Sequence, residues 1–340
     1  MQRALIGCHH ATMMSLANLW SSSAMADKSA KDIQRAIVGV TTSEGNLTVQ
    51  EIARRVGLRP HMVRYHLDQL VASKRVLRAC DVNLRVFGFQ GINIFFDLPR
   101  AAAKRGIEFL REQTEVSWLA QNAGPRKYEV TFFLRDPREY SQLLTSLGAQ
   151  VGTHFRDPIV TIESEWRHWG LRFLSERKQT KPLVHLRSPT EIQELDSVDF
   201  KILNFVARKL GASARDIARE IGIAQSTLTY RMERLREWGA LSEDLFFSSI
   251  NHDFVQAQLV INLKARSREA EQLVIETCSN EPYVEGLLTG IGCWDFKIVI
   301  RADTVSRLLE VEDSILAALA RVVARSTTYI RNRLLLERAG

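Results

Sequence analysis

A chain of 340 residues that is 45% hydrophobic can bury several cores, which excludes a disordered or fibrous protein and predicts two or more domains. Its 46 Lys and Arg against 39 Asp and Glu leave a formal charge of +7, an excess that suits a polyanionic partner but is shared by many ordinary enzymes. Cys8, Cys80, Cys278 and Cys293 show neither CxxC spacing nor the density of a disulfide scaffold, so the sequence points to a reducing cytoplasm.

Residues 1–30 faintly imitate a secretory signal, ending near Ala24-Met25-Ala26, but two histidines interrupt the apolar stretch. Patterned sequence begins just after Met25, so this stretch reads as a disordered tail or an overextended start. No segment reaches the ~18 consecutive apolar residues of a membrane span, and no membrane partner is expected.

Residues 31–80 read as three short helices, near Asp32–Thr41, Thr48–Val56 and Pro60–Ala72. Thr48 with Glu51 approaches a capping box, Gly57 ends the second helix, and Pro60 suits the first turn of the third. Short helices with a tight corner are the helix-turn-helix layout. Residues 84–178 then alternate as an α/β module. Its strands are predicted at Gly91–Leu98, Val116–Asn122, Tyr128–Arg135 and Ile159–Glu165, with helices at Ala101–Gln113 and Pro137–Leu147. Residues 179–194 carry two prolines and little periodicity and read as a linker.

The pattern then repeats. LTVQEIARRVGLRPHMVRYHLDQL aligns without gaps on GASARDIAREIGIAQSTLTYRMERL at an offset of 165, which places Ile52 on Ile217, Gly57 on Gly222 and Tyr65 on Tyr230. Residues 195–242 therefore form a second helix-turn-helix domain and 246–335 a second α/β module. The latter has strands at Val255–Leu263, Tyr283–Leu288, Trp294–Arg301 and Ser326–Arg331, with helices at Ser267–Cys278 and Thr304–Leu319. The predicted class is α+β: two tandem repeats, each a (winged) helix-turn-helix domain followed by a ferredoxin-like βαββαβ domain.

With ELDSVDFKIL, DIAREIGIAQSTLTYRMERL, Gly292-Cys293-Trp294-Asp295-Phe296 and the ending at Ser326–Ile330 in this order, the sequence resembles the Lrp/AsnC (feast/famine) family of regulators. The resemblance implies double-stranded DNA as partner, a small effector, possibly an amino acid, bound at the Gly292, Trp294 and Asp295 turn, and dimerisation through the α/β sheets. In a fused chain that pairing is expected either as a homo-oligomer or as an intramolecular pseudo-dimer. The first half departs from the family pattern, with Arg59 where a Ser or Thr usually opens the recognition helix and Gly124-Pro-Arg-Lys-Tyr-Glu at the effector turn.

In a helix-turn-helix, the N-terminal residues of the third helix face base edges and flanking cations hold phosphates. That assigns Arg59, His61, Arg64 and Tyr65 to base or backbone contact, with Arg64 foremost because its guanidinium can grip a guanine bidentately. Arg54, Arg55, Lys74 and Arg75 are phosphate candidates. The equivalents in the second half are Gln225, Ser226, Thr229, Tyr230 and Arg231. Residues 31–78 hold nine basic and four acidic side chains, net +5, and residues 194–241 hold eight and seven, net +1. The first half is therefore expected to bind more strongly. Any one of these charges read alone would merely solvate a helix face.

No HExxH, Gly-rich phosphate loop or GxSxG occurs, and His61 with His66 is poorly spaced for a shared metal, so no catalytic residue, metal or cofactor is expected and the chain is read as a non-enzyme. Two alternatives stay open. Siroheme decarboxylases resemble this same architecture and need His and Arg around a tetrapyrrole, for which the modules offer His154, His168 and His252. The other is an interaction scaffold that has lost DNA binding.

Overall fold

The computed structural model describes residues 29–45, 47–73, 75–152, 158–175, 179–208, 213–242, 245–248 and 254–337. The expected N-terminal tail up to residue 28, Lys74, His154 and His252 lie outside them.

Reciprocal capping starts the first two helices. Ser29 with Asp32 opens α1 (Ala30–Ser43), and Thr48 with Glu51 opens α2 (Val49–Val56). Gly57 at φ 67° ends α2, and Pro60 occupies the first turn of α3 (Pro60–Ala72). Ile37, Ile52, Val63 and Leu70 close their shared core. The chain continues through β1 (Val76–Ala79), a 3-10 turn at Leu84–Phe87, β2 (Gln90–Phe96), α4 (Arg100–Glu112), β3 (Val116–Ala123), β4 (Tyr128–Leu134), α5 (Pro137–Val151) and β5 (Ile159–His168). The segment expected to be a plain linker holds a strand, β6 (Val184–Arg187), which pairs with the C-terminal half of β5. Its Val184 and Leu186 are buried, which the neighbouring prolines concealed.

The second half follows the same element order: α6 (Ser197–Arg208), α7 (Ala214–Ile221), α8 (Gln225–Glu237), β7 (Leu245–Ser248), β8 (Val255–Leu263), α9 (Arg268–Asn280), β9 (Val284–Gly292), β10 (Phe296–Ala302), α10 (Val305–Leu319) and β11 (Val323–Glu337). Ser213 caps α7, and Gly222 at φ 76° makes the corner that Gly57 makes in the first half. β1 and β7, four residues each, pair antiparallel and tie the two helical units together. Ile202, Leu228 and Leu235 of the second unit share a core with Cys80, Val82 and Phe87 of the first half.

The fold is mixed α/β. Antiparallel pairings give the order β5-β2-β4-β3 in the first half and β11-β8-β10-β9 in the second. Two further ladders, β3 with β11 and β9 with β5, join the halves, so the pairings run through eight strands and return to their start. Alternation sorts the side chains of these strands onto two faces. One face packs under helices, as Ile94, Phe132, Leu259 and Ile298 do. The other turns toward the opposite sheet and holds Phe95, Val260 and Tyr329 together with Asn93, Glu129, Glu163, Lys297 and Arg331. Among the described residues no helix is long and apolar enough to cross a membrane.

Candidate nucleic-acid interface and the turn at Gly292

Helix α3 buries Val63, His66, Leu67 and Leu70 and turns its other face to solvent. Arg59 at the N-cap, His61, Arg64 and Tyr65 all lie on that exposed face. Among the described residues, the side chains of Arg59, His61 and Arg64 make no hydrogen bond or ion pair. Arg54 is exposed on the last turn of α2, whereas Arg55 is half-buried in an ion pair with Glu44 and fastens α2 to the end of α1. The Tyr65 hydroxyl accepts from Gln69 Nε2 at 2.8 Å. Three uncommitted cationic or protonatable groups at the opening of one solvent-facing helix can meet phosphates and base edges without first breaking protein contacts.

Helix α8 is built alike but charged differently. Arg59, His61 and Arg64 correspond at the 165-residue offset to Ala224, Ser226 and Thr229, none of them ionisable. Gln225, Ser226, Thr229 and Tyr230 are exposed, with the Thr229 hydroxyl donating to the Gln225 carbonyl at 3.0 Å. Arg231 donates to Asp196 at 2.5 Å and Asp199 at 2.9 Å, and Arg234 to Asp199 at 2.6 Å. Asp199 is fully buried, so these bonds fasten α8 to α6 and commit Arg231 to the protein. The sequence showed the arginine but not its partners, which precede it by more than thirty residues.

At the turn between β9 and β10, Trp294 is wholly buried beside Phe95, Val260 and Tyr329. The Asp295 carboxylate accepts from the Leu263 amide at 2.8 Å and lies 3.5 Å from Arg266. Gly292 has φ 135°, and a Cβ there would stand 2.9 Å from the Val160 carbonyl oxygen. Gly124, at φ 154° in the matching turn of the first half, meets Tyr329 and the Thr328 carbonyl oxygen in the same way. Both glycines thus let a hairpin of one half lie against a strand of the other, a need that neither motif disclosed. Among the described residues at this turn, the indole Nε1 of Trp294 and the Thr161 hydroxyl are buried without a hydrogen-bond partner.

Two buried groups between the sheets, Glu129 and His168, contribute to the acid behaviour. Burial alone would raise the Glu129 carboxyl, but Lys297 and Arg331 hold it down at about 2. Burial pushes the His168 imidazole down to about 4. Both folded values lie below the unfolded ones, so in each case the unfolded chain binds more protons and stability falls as pH falls. The free energy of unfolding is therefore expected to fall between pH 6.5 and 4 through His168 and between 4.5 and 2 through Glu129, each by up to about 3 kcal/mol, while Asp81, whose buried carboxyl is raised to about 6 and so takes up its proton first in the folded chain, offsets much of the His168 decline. Relative to the parent, His168→Gln should gain unfolding midpoint as pH falls from 6.5 to 4 and leave the lower limb unchanged; parallel midpoint profiles of the two chains over that range would contradict it. Among the described residues no three His, Cys, Asp or Glu side chains gather as a metal would require.

Residues 195–239 match the family of winged helix-turn-helix DNA-binding domains. No curated protein matches the chain. Among solved structures, the crystal structure of the siroheme decarboxylase NirDL is similar over 90% of this chain and 92% of its own, at 12% identity and a TM-score of 0.59. Its co-complex with an iron-uroporphyrin III analogue is similar over 94% and 92%, at 11% identity and 0.56. An AsnC family transcriptional regulator from Agrobacterium tumefaciens is matched over 40% of this chain and 89% of its own, at 16% identity and 0.35. Likenesses at these identities are of fold, not of chemistry. They correct one expectation: the absence of familiar catalytic motifs was read as excluding an enzyme, yet the architecture that extends over nine-tenths of this chain is one on which an enzyme is built.

Proposed function

We propose that the chain is a sequence-specific DNA-binding transcriptional regulator of the Lrp/AsnC type, a tandem form in which two winged helix-turn-helix and ferredoxin-like units act within one polypeptide of the cytoplasm. The observation that carries the reading is the solvent face of α3, where the side chains of Arg59, His61 and Arg64 stand without partners among the described residues, beside exposed Arg54. The winged helix-turn-helix match at 195–239 supports it from the second half. Selection of binding sites from random duplex DNA near physiological salt should enrich a defined sequence. If nothing is enriched and residual binding only fades as salt rises, the reading fails.

An amino acid or another small metabolite is the proposed effector, at the Gly292, Trp294 and Asp295 turn. One amino acid in excess should raise the unfolding midpoint by several degrees, and Asp295→Ala should abolish that rise relative to its own baseline. No shift with any amino acid removes this part of the proposal. A second reading, a tetrapyrrole enzyme, is favoured by the likeness to NirDL over both halves. Added siroheme would then show a shifted absorption band on binding and lose carbon dioxide; an unchanged spectrum sets that reading aside.

A further inference from the structure

Between the two sheets, buried charge is inverted between the halves at two pairs of corresponding positions. Ladder register fixes which positions correspond. On β2, Asn93 faces Thr131 of β4 and Thr161 of β5; on β8, Gln258 faces Val299 of β10 and Tyr329 of β11. Two residues before Thr131 and Val299 lie Glu129 and Lys297, and two residues after Thr161 and Tyr329 lie Glu163 and Arg331. Gly124 and Gly292 follow the same correspondence, the first lying against Tyr329 and the second against Thr161. Equivalent positions thus hold two carboxylates in the first half and two cations in the second.

All four side chains are buried, at 0% exposure for Glu129, 3% for Lys297, 6% for Glu163 and 8% for Arg331. They meet across the seam: Lys297 Nζ lies 2.8 Å from Glu129 and 3.2 Å from Glu163, and Arg331 donates to Glu129 at 2.9 Å. Asn93 also donates to Glu129, at 2.9 Å, and Arg85 stands 3.8 Å from Glu163.

We infer that this inversion is a partner code: the sheet of the first half accepts the sheet of the second and rejects another copy of itself. Two first halves would bring four of these carboxylates together out of water with only the two Arg85 guanidiniums nearby, and two second halves four of these cations, since Glu285 is already paired with Arg301. Even a matched buried pair does little more than offset its desolvation, so an unmatched set closes off like pairing. Covalent linkage then favours pairing within one chain over reciprocal pairing between two. The inference rests on the ladders, independently of what α3 binds.

The test inverts the code in the full chain. One variant, Lys297→Glu with Arg331→Glu, makes the seam acidic. A second, Glu129→Lys with Glu163→Lys and with Arg85→Gln to remove the neighbouring cation, makes it basic. A third combines all five changes. Each like-charged chain is expected to lose about 10 °C or more in unfolding midpoint and to leave the monomer pool, and the combined chain to regain most of both. Where a like-charged chain fails to fold alone, co-expression provides the readout: with different tags, the acidic and basic chains should be recovered together as a two-chain species by affinity capture and light scattering. A like-charged chain that keeps the parent's midpoint and mass overturns the inference. So does a combined chain no more stable than the like-charged ones, or acidic and basic chains that are never captured together.

Discussion

Replacing Arg59 and Arg64 together by alanine is expected to weaken binding to the selected duplex by about 100-fold near physiological salt, and to lower the slope of log K against log salt by about one to two. Both side chains open the exposed face of α3 and neither is held by a described residue, so their removal leaves the core of Val63, Leu67 and Leu70 intact. The unfolding midpoint should accordingly stay within a degree or two, which separates loss of contact from loss of fold. In the second half Ala224 already stands where Arg59 does, so the comparison change is Ser226→Ala with Thr229→Ala, which removes no charge and should cost less than about tenfold, with the salt slope unchanged. Titrations of a labelled duplex at several salt concentrations decide it. Equal losses from the two double variants would mean that the cationic difference between α3 and α8 has no bearing on binding.

Gly170→Ala is expected to lower the unfolding midpoint by about 10 °C and to weaken DNA binding, although Gly170 lies away from the α3 face. Gly170 has φ 72°, and a Cβ there would fall 1.7 Å from the carbonyl oxygen of Thr42 at the end of α1. The segment cannot withdraw to make room. On one side of it, Trp169 donates its backbone amide to Glu285 and its indole N–H to the Thr180 carbonyl. On the other, the buried Arg172 guanidinium donates to the carbonyls of Cys278, Glu281 and Val284 at the end of α9 and the start of β9. The first helical unit therefore rests on a strap clamped to the second half, and a methyl group at Gly170 forces one of the two to move. Gly148→Ala is the control: it lies in α5 with nothing within 4 Å of an added Cβ and should be neutral or slightly stabilising. If Gly170→Ala unfolds at the parent's temperature, the strap does not fix the unit.

Local signals carried much of this architecture in the sequence. The capping pairs and corner glycines placed α2 and α3 to the residue or within one, because helix ends are set by side chains next to them in sequence. Apolar residues at Val255, Ala257, Leu259, Ile261 and Leu263, a period of two, located β8. What escaped notice depends on distant partners. β1 and β7 are four residues each and gain their order from one another, with Val76 opposite Ser248. The ladders of β3 with β11 and β5 with β9 leave no local trace at all. In the candidate site, the exposed cations of α3 could be picked by type and position, whereas the engagement of Arg231 by Asp196 and Asp199 could not. Glu129 and Lys297 sit in apolar runs, YEVTFFL and FKIVI, where alternation suggests an outer wet face. That face is inside because a second sheet covers it, and the one sequence sign was opposite charge at matching places in the two halves.

The strand that completes the eight-strand circuit also has a bearing on how the protein is made. β11, Val323–Glu337, pairs with β8 along its first part and with β3 along its second. Every other strand of the circuit leaves the ribosome before it. At ordinary elongation rates, about 5–20 residues per second, the sheet of the first half waits on the order of ten seconds or more, with the far edge of β3 lacking its neighbour. Unpaired edges of this kind invite pairing with whatever strand is near; the carboxylates of the inner face turn away another copy of the same half, but they give no protection against other unfinished strands on a crowded message. Birth of the final strand, rather than formation of any helix, sets the moment at which the nascent chain ceases to be vulnerable; slowing translation upstream of codon 323 should lower the yield of soluble protein more than slowing it within the first eighty codons.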